Sequence, residues 1–134
     1  MPQQITTEGG MMPHWSPDGE RIAYIGNGVS VISKSGGVAK ALLPAGSPRV
    51  SGGPVWSRDG RTIFYRHLSG FWSVPADGGK PTHLIKFDDP LRPATRPEFA
   101  TDGKQFFFTV SERESDIWML RSFPQRSKWM RAFR

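Results

Sequence analysis

At 134 residues with no cysteine, the chain holds the material of one domain or of part of a larger one, and excludes a disulfide framework, a thiolate zinc site and a cysteine nucleophile. Hydrophobic residues make up 37% and charged residues 22%, too apolar for a disordered tail, while 15 Gly and 12 Pro suit a fold of tight turns. The net charge of +6 is concentrated at one end: residues 121–134 carry Arg121, Arg126, Lys128, Arg131 and Arg134 and no acid, which leaves the body at +1.

A basic tail on a nearly neutral body does not make a groove-reading surface, and nucleic acid is not the expected partner. No apolar run approaches the roughly 18 residues of a membrane span. No apolar stretch precedes the first basic residue, Arg21, so a secretory leader is not expected. That reads as cytoplasmic for the chain as it stands, or periplasmic for a piece of an exported protein.

In chain order, residues 3–6 read as a short strand standing ahead of everything that follows. Then a unit recurs three times. It begins with Pro13-His14-Trp15-Ser16-Pro17-Asp18-Gly19-Glu20-Arg21-Ile22-Ala23-Tyr24. It returns as Pro54-Val55-Trp56-Ser57-Arg58-Asp59-Gly60-Arg61-Thr62-Ile63-Phe64-Tyr65, and again as Pro97-Glu98-Phe99-Ala100-Thr101-Asp102-Gly103-Lys104-Gln105-Phe106-Phe107-Phe108. From Asp18 to Asp59 is 41 residues and from Asp59 to Asp102 is 43, the length of one four-stranded propeller blade.

Each copy reads as strand, turn, strand. An aromatic closes the first strand (Trp15, Trp56, Phe99), and a Ser-x-Asp-Gly turn follows, with glycine supplying the left-handed φ. The second strands (21–25, 62–66, 105–110) are β-branched, aromatic and apolar on both faces, as expected of a sheet covered on both sides. Third strands follow at 28–32, 70–74 and 116–120. Gly36-Gly37 and Gly78-Gly79 then turn the chain into short fourth strands at 39–43 and 81–85. The third copy has Ala100-Thr101 where the first has Ser-Pro, which predicts a looser turn, and it has no fourth strand.

The predicted fold is therefore all-β: blades of four antiparallel strands, in three blade-equivalents at about 11–48, 52–88 and 95–121. The strand at 3–6 is an orphan outer strand, and 122–134 is a basic tail. Trp-Ser-Pro-Asp-Gly-x-Arg-Ile-Ala-Tyr, with Asp116-Ile117-Trp118-Met119-Leu120 later in the blade, resembles the WD40-like repeat of TolB-type β-propellers over residues 3–121. The resemblance implies a bacterial, non-catalytic binding or scaffold module, or the propeller of a prolyl-oligopeptidase-like peptidase, or the sensor module of a kinase or transcriptional regulator. Three blades do not close an ordinary ring, and each end would present an apolar face to water. Either further blades belong to a longer chain, or two copies complete six blades, the strand at 3–6 of one copy finishing the third blade of the other.

No nucleophile elbow is present, and no enzyme activity or cofactor is expected. Gly78-Gly79-Lys80-Pro81-Thr82 imitates a phosphate loop, but Pro81 interrupts it and no helix follows. His14, His67 and His83 fall in different layers of the repeat and do not read as one metal site. Asp18, Asp59 and Asp102 recur at the blade period and read as turn residues. Trp15, Trp56, Trp72 and Trp118 read as packing between sheets.

Partner binding is expected at the loops, since propellers bind through the connections between strands. The candidates are Asn27 in the first blade, His67 and Ser69 in the second, and Glu112, Arg113 and Glu114 in the third, with a protein as the partner. In the tail, Arg126, Lys128, Trp129 and Arg131 interleave basic and apolar character. That pattern suits contact with an acidic partner or a membrane surface, pairing as a late strand, or a frayed terminus.

Overall fold

A computed structural model describes residues 1–87 and 94–110. Those residues form ten strands and no helix. The first sheet is a meander of β1 (Met11–Trp15), β2 (Arg21–Gly26), β3 (Gly28–Ser33) and β4 (Lys40–Ala41), and the second repeats it with β5 (Val55–Trp56), β6 (Thr62–His67), β7 (Gly70–Pro75) and β8 (Thr82–Lys86). A third sheet pairs β9 (Ala94–Thr101) with β10 (Phe106–Val110). All pairings are antiparallel, and neighbours in each sheet are neighbours in sequence. The predicted third strand at 116–120, Glu112, Arg113 and Glu114, and the tail with Arg126, Lys128, Trp129 and Arg131 lie outside the described residues.

The Ser-x-Asp-Gly turns form by local chemistry. Ser16 Oγ donates to Asp18 Oδ1 at 2.6 Å, Glu20 N–H donates to the same oxygen at 3.0 Å, and Arg21 N–H donates to Ser16 Oγ at 2.9 Å. The second turn repeats all three: Ser57 to Asp59 at 2.6 Å, Arg61 N–H to Asp59 at 3.1 Å, Thr62 N–H to Ser57 at 2.9 Å. Gly19 and Gly60 take φ of 71° and 69°, which only glycine adopts at little cost.

The third turn departs differently from expectation. Ala100 has no hydroxyl, and Thr101, one residue on, replaces it: its Oγ1 donates to the Gln105 carbonyl at 2.6 Å and accepts from Gly103 N–H at 3.0 Å. The ladder continues through Thr101↔Phe106. The turn is closed rather than loose, and the register slides. Trp15 faces Ile22 and Trp56 faces Ile63, whereas Phe99 faces Phe108.

Both faces of the second sheet are covered, for the reason its apolar pattern implies. On one face Trp56, Ile63, Tyr65 and Val74 join Ala23, Ile25, Val29, Val31, Leu42 and Leu43 of the first sheet and its following loop in a single buried cluster. On the other, Phe71 is fully buried with its ring centroid 4.8, 4.9 and 5.0 Å from those of Phe99, Phe106 and Phe108. Phe64 meets Phe106 edge to face at 5.7 Å. Arg66, on that same face, is 3% exposed; burial lowers its pKa, and the Glu98 carboxylate on β9 acts in the opposite direction.

Polar contacts tie the first two sheets at their turns. Arg21 donates to Asp77 Oδ1 and to the Gly60 carbonyl, both at 3.0 Å, with its guanidinium 4.9 Å from the centroid of Trp56. Lys40 donates to the Asp77 carbonyl. Trp56 Nε1–H donates to the His14 carbonyl at 3.0 Å.

Residues 3–6 form no strand. Ile5 packs instead on Ile22, Tyr24 and Ile32, the outer face of the first sheet. Trp15 stands on that face with 60% of its surface exposed. The expectation that it packs between sheets fails because no sheet lies in front of the first among the described residues.

Candidate partner-binding loops

Strands β2 and β6 each end in a tight hairpin, and these hairpins carry three of the residues chosen from the sequence. Gly26 pairs with Gly28, leaving Asn27 at the tip. His67 pairs with Gly70, leaving Leu68 and Ser69 as a two-residue turn. Gly70 has φ of 138°, and a Cβ on it would lie 1.7 Å from the Ile85 carbonyl oxygen. The turn exists because β8 presses its backbone against a residue that has no side chain.

The connection between the first two sheets comes to the same end. Val50 bridges to His67, and Ser51 N–H donates to the Arg66 carbonyl at 2.9 Å. A groove of about 870 Å³ opens here, lined among others by Glu8, Tyr24, Asn27, Leu43, Arg49 and Val50. Asn27 and His67 therefore belong to one end of the stacked sheets, with Arg49 lining the same groove as Asn27 next to the Val50 bridge. Leu68 projects from that end with 73% of its surface exposed.

Ser69 is the centre of a small polar cluster. Its N–H donates to His67 Nδ1 at 3.1 Å, with its Oγ 2.8 Å from the same nitrogen. His83 Nε2 lies 3.2 Å from the Ser69 carbonyl, which also accepts from Phe87 N–H at 2.8 Å. Because Nδ1 accepts the Ser69 amide, neutral His67 carries its proton on Nε2. Burial, and then the nearby charge of His83, lower the His67 pKa. The His83 ring stacks on Trp72 at 4.1 Å and 4°.

The repeat frame had assigned His67 and His83 to separate layers, but Ser69 joins them. The link passes through one turn carbonyl and one bulge in β8, neither of which the sequence marks. Arg49 was also missed, because its loop follows no repeat. The Asp18 and Asp59 turns lie at the other end of the strands, and their carboxylates are held below the ordinary range first by the Ser16 and Ser57 hydroxyls and then by backbone amides. Asp102 is lowered by the Gln105 and Lys104 amides. These bonds are the turn role expected of the three aspartates. The Gly78 turn closes locally, with Gly78 N–H donating to the Pro75 carbonyl at 2.9 Å. Among the described residues no helix is long and apolar enough to cross a membrane. No protein-family model matches the chain, and no curated protein matches it.

Proposed function

We propose that the chain is a segment of a TolB-like β-propeller, a non-catalytic binding or scaffold module that meets a protein partner at the loop end carrying Asn27, Arg49, His67, Leu68 and Ser69. The observation that carries the proposal is the pairing of two antiparallel four-stranded meanders face to face in repeated register, with both β2–β3-type hairpins and the connecting loop at one end. An exposed Leu68 at the same end of the sheets as polar Asn27 and Arg49 is the composition of a contact surface, an apolar residue with polar neighbours around it. The Ser69 cluster fixes the shape of that surface.

The reading is tested by capture experiments with the intact chain as bait, comparing wild type with Asn27→Ala plus Leu68→Asp and with a control altered at the opposite end, Glu20→Gln. A partner bound by wild type and the control but lost with the loop variant supports the loop end. A partner lost with the control and kept by the loop variant refutes it.

A further inference from the structure

We propose that the Trp15 face of the first sheet docks a second copy of this chain, receiving the outward face of that copy's third sheet around Phe107. The inference rests on the propeller reading and names the partner of one of its open faces.

The geometry of the second sheet supplies the argument. Trp56 and Trp15 occupy the same place in the repeat: each closes the first strand and faces an isoleucine across the ladder, Ile63 and Ile22. Trp56 is 9% exposed because the first sheet lies against it, accepting its indole N–H at the His14 carbonyl and covering its ring with Arg21. Trp15 has the same local structure, and among the described residues no sheet lies against it. Ile5 covers Ile22, Tyr24 and Ile32 but leaves a groove of about 320 Å³ bordered by Met11, Pro13 and Trp15. Met11 is 62% exposed beside it.

The complementary half lies on β10. Phe106 and Phe108 turn toward Phe71, so strand alternation sends Phe107 the other way, where 63% of it is exposed. Its counterparts in the earlier copies are Ala23 and Phe64. Ala23 packs on the second sheet and Phe64 on the third. Among the described residues this front-to-back contact is made twice, and one front, at Trp15, and one back, at Phe107, stay exposed. Identical chains bearing both halves of a heterologous contact associate, and the association is finite when the rotation closes. Two copies bring six sheets, within the roughly 4–8 blades of closed propellers; three fall short. In the assembly Trp15 Nε1–H donates to a carbonyl of the partner copy's β9, as Trp56 does to the His14 carbonyl on β1.

The test is solution mass by light scattering on the full chain, on Trp15→Ser, on Phe107→Ser, and on the two variants mixed. Wild type is expected at twice the 15.0 kDa chain mass and each variant at the single-chain mass. The mixture should regain a two-chain species, because one intact contact survives between a copy with native Phe107 and a copy with native Trp15. A wild type of single-chain mass, or a dimer that survives both substitutions, overturns the inference. Far-UV circular dichroism on the same samples judges the underlying reading separately: a folded β-rich monomer removes the second copy and leaves the blades, whereas a helical spectrum removes the blades too.

Discussion

Phe71→Ala is the substitution that bears most heavily on how the second and third sheets are held together. Phe71 is fully buried and touches the rings of Phe87, Phe99, Phe106 and Phe108. Truncating a buried phenylalanine costs about 3–5 kcal/mol through lost transfer energy and the cavity left behind. Aromatic neighbours contribute about 0.5–1.5 kcal/mol per pair beyond area, which places this site at the upper end, about 4–5 kcal/mol. Against a typical total of about 5–15 kcal/mol, that is a large fraction. With a urea slope of about 2 kcal/mol/M, the unfolding midpoint should fall by about 2 M. The assay is urea unfolding followed by tryptophan fluorescence at one fixed protein concentration, since self-association would otherwise move the midpoint. Phe71→Leu keeps most of the volume and should lose clearly less. A midpoint change below about 0.5 M for the alanine variant would mean that the phenylalanine cluster does not hold the sheets together.

Other outcomes follow from the same geometry. Gly70→Ala should abolish the native state or cost more than about 3 kcal/mol, because its Cβ would meet the Ile85 carbonyl at 1.7 Å; Gly37→Ala, at a φ of 102° but with open space around its Cβ, carries the backbone strain without the clash and should cost less in the same urea assay. Trp56→Phe keeps the apolar ring and loses the bond to the His14 carbonyl, a loss of about 1–2 kcal/mol readable as a lowered midpoint. The Asp18, Asp59 and Asp102 pKa values are depressed in the fold, so their stabilisation is complete above the ordinary carboxylate pKa of 3.8 and is lost as pH falls through the lower folded values. Asn at all three positions should flatten that acid limb in midpoint-versus-pH curves. His67 is likewise depressed, so the fold favours its neutral form. Stability should decline as pH falls from about 6.5 toward its folded pKa, and an NMR titration should show His67 protonating below the ordinary imidazole value.

Much of the fold was legible because its determinants are local. A Ser-x-Asp-Gly turn builds itself from bonds spanning two to five residues, so Ser16 to Arg21 and Ser57 to Thr62 announce their hairpins in any context. The two-sided apolar pattern of 22–25 and 63–65 likewise announces sheets covered on both faces. The register of the third hairpin was less accessible: Ala100 for serine marked a change, but the sliding of Phe99 onto Phe108 depends on Thr101 stepping in. That Trp56 packs between sheets was legible, but the polar partners reached across sheets and turns were not. Arg21 reaches Asp77 across 56 residues of sequence, and within the second sheet His67 and His83 are linked through the Ser69 turn. Trp15 and Trp56 carry the same motif and end in opposite environments, since burial is decided by which sheet stands in front.

The face-to-face stacking of the first two sheets is the claim on which the rest depends, and the Trp56 indole proton reports on it directly. In an NMR nuclear Overhauser spectrum that proton should be protected from exchange and show contacts to the backbone of His14 and Trp15. An indole proton at Trp56 that exchanges freely and shows no contact with residues 14–15 would contradict the stacking, and with it the propeller reading and the second-copy contact.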